Sequence, residues 1–405
     1  MRDGGSNDDS DGSRAAAADG TGSGGRLRRL REHRAAVLAV ALLVLAAGVT
    51  IPLAVSGSDD AGEQACHHLP ASALALADDP RAATEALDPG DDLARIGSAR
   101  TLLRHKSVCG DGARVLGRIV DGATRSTGPG RPHTMAQARA AYAVASAVHG
   151  IELPEGLAPG MARMVAEYVV DAGAHLSWSG DKLPGPAVSP EEARPDSRGW
   201  SMFGRFLAPG EAHPVFEYSG SSRSAHADIE SLVGELSKDP EAFAILYDAE
   251  RANFAHYLER LTDDGGDPDF RPPPRPDSFS PTSTSWPDND LQAVADRIGA
   301  LMGHRAEYTR NHTIPDLAEF DRVVRRKTRG TFRPAGKQVD SRPAMGDIAD
   351  RPVAGPVEGD LTDGRRQLLI VLDDWAKDRD VPVRRAAAMR QSMDDFYVQA
   401  LRLPF

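Results

Sequence analysis

Residues 239–261 read DPEAFAILYDAERANFAHYLERL, and their pattern decides the fold class. Asp239 offers a carboxylate to cap a helix N-terminus. Pro240 suits the first helical position, where a missing N–H costs nothing, and Glu241 complements the positive end of the helix dipole. Phe243, Leu246, Tyr247, Phe254, Tyr257, Leu258 and Leu261 then recur at helical spacing, which predicts one long helix over Pro240–Leu261 with an apolar stripe. A ligand groove lined by those rings is the alternative, but a packed core accounts for the stripe more simply.

Working outward, the same periodicity returns on both sides. Downstream, Thr262–Pro287 is dense in Pro, Ser, Gly and Asp and includes Pro272–Pro274, so it reads as a linker or crossover. Beyond it, Leu291, Val294, Ile298, Leu301 and Met302 mark a helix, and Pro315–Arg329 marks another. After an irregular stretch from Gly330 to Asp360, two helices close the chain. One carries Leu368, Val371, Leu372 and Trp375; the other carries Met389, Met393, Phe396, Tyr397 and Leu401. Upstream, Asp91–His105, Ala113–Asp121, Met161–His175 and Ser224–Leu236 read as helices. Thr134 with Gln137 forms a capping box for a helix ending before Gly150, and Ser189-Pro190-Glu191-Glu192 looks like a further helix start. Neither a β-hairpin nor a βαβ alternation is predicted. The expected fold class is all-α, with a helical domain over 56–262, a linker over 263–288 and a C-terminal helical subdomain over 289–405.

Composition agrees. Of 405 residues 40% are apolar but only 5% aromatic, so the core rests on Ala, Leu, Val and Ile, which favours helices over strands. The chain has net charge −11, and because residues 1–34 hold seven Arg against six acids, the remainder is more acidic still. An acidic domain repels phosphates, so nucleic-acid binding is not expected.

At the N-terminus, residues 1–34 lack apolar periodicity and read as a disordered tail. Arg26, Arg28, Arg29, Arg31 and Arg34 precede the uncharged run Ala35–Val55, while Asp59, Asp60 and Glu63 follow it. As a helix the run spans about 31 Å, enough for a bilayer core. The charge asymmetry predicts a single-pass transmembrane helix over 35–55 that uses the lipid bilayer as partner, with the N-terminus cytoplasmic and the C-terminus extracellular. A cleaved signal peptide, with Ala54 and Ser56 before the cut, is the competing reading.

Cys66 and Cys109 are the only cysteines and lie on the same side of that span, so a disulfide between them is predicted. It would constrain the unfolded chain by about 4 kcal/mol. The rival is a metal site at Cys66, His67 and His68, disfavoured because adjacent residues rarely converge on one ion.

Catalytic motifs are weak. Ser179-Gly180-Asp181-Lys182 has the spacing of a Ser–Lys nucleophile pair, yet Leu-Pro-Gly-Pro follows it and implies a loop. Gly220-Ser221-Ser222-Arg223-Ser224 resembles a nucleophile elbow with the wrong last residue. His226, Asp228 and Glu230 would be splayed by a helix. Asp263, Asp264, Asp267 and Asp269 surround Gly265-Gly266 in a pattern that weakly suggests Ca²⁺, without EF-hand spacing. Arg322, Arg325, Arg326 and Arg329 share one side of a helix and read as a solvated face or a surface for anionic polymers. No catalytic, cofactor or metal residues are assigned.

Two segments carry a resemblance. Residues 153–164, LPEGLAPGMARM, continuing to Tyr168 and Asp171, and residues 237–243, SKDPEAF, leading to Ala249-Glu250-Arg251-Ala252 and Tyr257-Leu258, are similar to helices in large uncharacterised helical proteins of high-GC Gram-positive bacteria. Ile298-Gly299-Ala300-Leu301 before Arg305-Ala306 is a third such segment. Some of those proteins are associated with type VII-like secretion and surface-toxin systems. The resemblance implies a helical module in an envelope or export context and supplies no catalytic residues. The expected function is a protein-interaction module with an envelope protein as partner; a wall or surface hydrolase with an unrecognised site is the alternative.

Overall fold

The long helix forms where its cap and stripe place it. In the computed structural model, which describes residues 66–174, 185–196, 200–218, 226–267 and 288–402, it runs over Pro240–Leu258. The Asp239 carboxylate accepts from the backbone N–H groups of Glu241 at 2.9 Å and Ala242 at 2.8 Å. The other helices, in chain order, are α1 (Ala71–Leu76), α2 (Pro80–Leu87), α3 (Gly97–Leu103), α4 (Gly112–Thr124), α5 (Met135–Val148), α6 (Ala158–Glu167), α7 (Ile229–Leu236), α9 (Asn289–Arg310), α10 (Leu317–Lys327), α11 (Met345–Ala349), α12 (Arg365–Asp378) and α13 (Val383–Arg402), so the long helix is α8.

An apolar stripe implies a helix with one wet face, and α8 differs. It is enclosed on nearly all sides by α6, α9, α10, α11 and α12, and it buries Asp248, Glu250, Arg251, Asn253 and His256 along with its apolar residues. The charged ones are accommodated through partners: Asp248 pairs with Arg251 and accepts from the Arg329 backbone N–H at 2.7 Å, and Glu250 accepts from Arg297 at 2.6 Å. Buried charges of this kind persist only when matched.

Two helix crossings are set by glycine. α4 meets α6 at Gly117 and Gly160, where a Cβ on Gly160 would overlap the Gly117 backbone. α9 lies along α13, and a Cβ on Gly299 would stand 2.5 Å from the Tyr397 carbonyl oxygen. The apolar core is continuous from Ala83 to Tyr397, so it runs through both expected helical subdomains, and Gln64–Phe405 cluster as one compact unit.

The capping box at Thr134 and Gln137 is present. The expected helix at Ser189 is not: Ser189 and Glu192 make the capping contacts, but the segment closes a single turn. Pro195 follows too soon, and a residue before proline is pushed out of helical backbone. Beside the helices stand two minimal antiparallel pairs, β1 (Ala187–Val188) with β4 (His213–Pro214) and β2 (Trp200–Ser201) with β3 (Gly204–Arg205). They were not expected, since two-residue strands carry no alternation to read.

The N-terminal membrane expectation is corrected. Among the described residues no helix is long and apolar enough to cross a membrane. The longest, α9 and α13, are interrupted by Asp290, Asp296, Arg297, Arg305, Arg384, Arg385 and Asp394, which a hydrocarbon core would not accept. The expected span 35–55 and tail 1–34 lie outside the described residues. The fold is therefore a helical domain without a described transmembrane helix, and the single-pass cell-membrane placement finds no support among the described residues.

Candidate functional site

α6 and the turn after it, ending in a 3-10 turn at Asp171–Gly173, hold two different environments on opposite sides. One is a sealed polar cluster. Glu167 and Asp171, one helical turn apart, point to it with His133, Glu211 and His213, and all five are at most 4% exposed. His133 Nδ1 donates to Glu211 at 2.5 Å and its Nε2 donates to Glu167 at 3.2 Å. Burial alone would lower the His133 pKa, but the two carboxylates override it and push it up to about 9. Glu167 is likewise held below the usual range, its burial outweighed by His133, the Ser126 N–H and Arg125. His213 Nδ1 contacts Asp171 at 2.8 Å, and burial raises the Asp171 carboxyl.

Neighbours close this cluster. The Met345 N–H donates to the second Glu211 oxygen at 2.9 Å, and a Cβ on Gly346 would run into the Glu167 carboxylate. The Tyr168 ring covers His133 at 4.3 Å and donates its hydroxyl to the Thr124 carbonyl. Arg125, partly exposed, joins Glu167 at 3.2 Å to Asp350 at the surface. The chemistry resembles an acid–base site, but its His and Glu211 have no room for a substrate beside them.

The other side is open. Val165, Ala166, Val169, Ala172 and Gly173 form one wall of a cleft whose other walls are α7, α8 and α9. The space between these walls is about 720 Å³ with the open solvent at its mouth included, and the centre of a water molecule can occupy about 80 Å³ there. Its lining is mostly apolar, including Val233, Leu246, Ala249 and Leu301. The charged groups around it are Glu230, Glu250, Asp296 and Arg297, three acids to one base. Arg297 Nε donates to Glu250 at 2.6 Å, and Gly173 makes room for that guanidinium, which a Cβ would strike. Burial pushes the Glu250 carboxyl up and the His304 imidazole down, so His304 is neutral near pH 7. Apolar walls with a few convergent polar groups are the usual make-up of a binding site.

The residues singled out from sequence fare differently. Cys66 and Cys109 stand at disulfide distance, with Cα atoms 5.1 Å apart. His68 does converge on them, while His67 turns away to stack on His105 at 3.7 Å. Ser179 and Ser222 lie outside the described residues. His226, Asp228 and Glu230 separate: His226 packs on the His149 ring, Asp228 caps α7 through Ser231 N–H at 2.9 Å, and only Glu230 reaches the cleft. The acidic loop disperses too, with Asp263 facing Arg379 at 3.5 Å, Asp264 accepting from Thr262 and Asp267 paired with Arg205. Asp269 is outside the described residues. The expected Arg face is divided: on α10 Arg322 pairs with Glu319 and Arg325 lies 3.6 Å from Asp360, while Arg329, past the end of the helix, donates to the Ala349 carbonyl at 2.9 Å.

Sequence reasoning missed the polar cluster and the cleft. Glu167 and Asp171 were the available signal, two acids four apart, one closing α6 and the other opening the 3-10 turn after it, in helical register with Met164 and Tyr168. His133 and Glu211 offered none, being separated by 78 positions. No protein-family model, curated protein or solved structure matches the chain, so the resemblance to helical proteins of high-GC Gram-positive bacteria rests on its quoted segments alone.

Proposed function

We infer that this chain is a non-catalytic helical docking module that receives an apolar side chain of a partner protein in the cleft between α6, α7, α8 and α9. The observation that carries the reading is the cleft itself, an apolar slot left open while the ionic groups at its end are paired. Interfaces concentrate their energy where an anchor side chain fills such a pocket inside a polar rim. With three acids to one base around it, the matching partner segment carries an apolar anchor flanked by Lys or Arg. The three segments that resemble the Gram-positive helical proteins supply walls of this cleft, through Val165 and Val169, Leu246 and Ala249, and Ala300 and Leu301. The hydrolase alternative has less support, because the cluster with acid–base character is closed to substrate.

Selection from a random peptide library tests the reading. The expected enrichment is a bulky apolar residue next to basic ones, in peptides that lose about tenfold or more in affinity for Ala172→Leu, which fills the cleft. Binding that is unchanged in Ala172→Leu would place the site elsewhere. Stoichiometric labelling by a fluorophosphonate or a fluorescent β-lactam, lost in Ser179→Ala or Ser222→Ala, would establish the hydrolase instead.

A further inference from the structure

Outside the cleft, the structure gathers a second set of chemically capable side chains at the beginning of the described chain. The sulfurs of Cys66 and Cys109 and one imidazole nitrogen of His68 all lie within 4.8 Å of one another. Two thiolates and an imidazole form a donor set typical of Zn²⁺, which is borderline-soft and accepts tetrahedral S₂N coordination. In the disulfide state both sulfurs are committed to each other and cannot ligate.

We propose that reduction of the Cys66–Cys109 disulfide converts this corner into a Zn²⁺ site with Cys66, Cys109 and His68 as ligands. The protein backbone keeps the two cysteine segments together independently of the sulfur bond. His67 N–H donates to the Ser107 carbonyl at 3.0 Å, and Cys109 N–H donates to the His67 carbonyl at 3.0 Å, a short parallel bridge that reduction leaves intact. The Cα atoms of the cysteines are therefore held near their present 5.1 Å separation. Ligands of a tetrahedral Zn²⁺ stand about 3.6 Å apart, given Zn–S near 2.3 Å and Zn–N near 2.0 Å. The sulfurs need only part, and the imidazole advance, by side-chain rotation of about 1 to 2 Å around a fixed backbone. Cys66 and His68 are exposed, so an ion has direct access and a fourth position remains for water or an external ligand.

The chemistry balances with a phosphine as reductant. The phosphine takes the disulfide to two thiols, water supplies the oxygen of the phosphine oxide and the two hydrogens, and metal binding then releases both thiol protons. His67 and His105, stacked on each other beside the site, serve as internal comparisons for the role given to His68.

The test is titration of the full chain with Co²⁺, a spectroscopic substitute for Zn²⁺, before and after phosphine reduction, followed by displacement with Zn²⁺. The expected result for reduced protein is one Co²⁺ per chain with tetrahedral d–d absorption and thiolate-to-cobalt charge transfer. Oxidised protein should show neither. His68→Ala should weaken binding by about a hundredfold, while His67→Ala and His105→Ala change it by less than about threefold. Circular dichroism of each variant, and its disulfide content before reduction, establish that the corner is folded. No charge-transfer band in reduced, folded protein would overturn the proposal. So would binding that survives His68→Ala unchanged, or binding of equal strength in the oxidised form.

Discussion

The two sides of α6 place similar groups in opposite circumstances. On one side Glu167 and Asp171 face His133, Glu211 and His213 with no access for solvent. On the other, Val165 and Val169 face a cleft at whose end Glu250 meets Arg297. Both sides hold carboxylate–cation contacts, yet only the open one leaves apolar surface for something else to cover. The contrast teaches that ionisable groups with perturbed pKa values do not by themselves mark a functional site. In the sealed cluster the perturbation reports mutual pairing, whereas binding needs surface that water presently occupies.

The sharpest way to break this comparison is to remove the centre of the sealed side. His133→Ala leaves Glu167 and Glu211 buried without the imidazole that both contact. Removing one partner of a buried ionic cluster costs about 3–5 kcal/mol, because the remaining charges stay desolvated. Urea denaturation at neutral pH should show a loss of that size. A loss under about 1 kcal/mol would mean that the cluster is hydrated or already neutral.

The same cluster predicts a pH response of somewhat smaller size. His133 is raised to about 9 in the folded protein, above an unfolded value of about 6.5. Its contribution to stability is therefore full below about pH 6.5 and is lost as pH rises through about 9, an effect of order 3 kcal/mol. Glu167 works from the acid side, since its lowered folded pKa gives stability that is present above its unfolded value and lost as pH falls through the depressed one. Together they define a plateau of stability between the two unfolded values, about pH 4.5 to 6.5. Denaturation midpoints measured from about pH 6.5 to 9 should fall for the wild type and stay nearly level for His133→Gln. Parallel declines in both would assign the alkaline loss to another group.

The parts of this fold that were legible in the sequence are those specified locally. Asp239 and Pro240 announce the start of α8, and Thr134 with Gln137 that of α5, because caps act within one turn. The cysteine pair was legible because no other partner exists for either. What enclosed α8 was not legible. Its buried Asp248, Glu250 and Arg251 look like a wet face in sequence, and only the arrival of α9 and the Arg329 backbone makes their burial tolerable. The cleft was hidden for the complementary reason. Ala172, Gly173, Ala249 and Ala300 line it as small residues, and a small residue records nothing about whether the space beside it is filled or left open.

The smallest predicted effect lies at the open side and completes the contrast. Glu250→Gln replaces one buried carboxylate with its neutral isostere, beside an Arg297 whose side chain is 21% exposed and so retains partial hydration. Burial already holds the Glu250 pKa above its ordinary value, which means that the fold disfavours its charged form relative to the unfolded chain. A folded pKa raised in this way makes a carboxylate's contribution decline as pH rises through its titration, the opposite sign to Glu167. Neutralising Glu250 relieves that cost, and the amide oxygen can still accept from Arg297 Nε. The two changes offset, so stability at neutral pH should shift by less than about 1 kcal/mol. The cleft should nevertheless respond, since removing one of three acids weakens its preference for basic flanks, and selected peptides should lose affinity with a reduced salt dependence. A destabilisation as large as that of His133→Ala would show that the Glu250–Arg297 pair is as sealed as the cluster across the helix. The distinction between the two sides of α6 would then collapse.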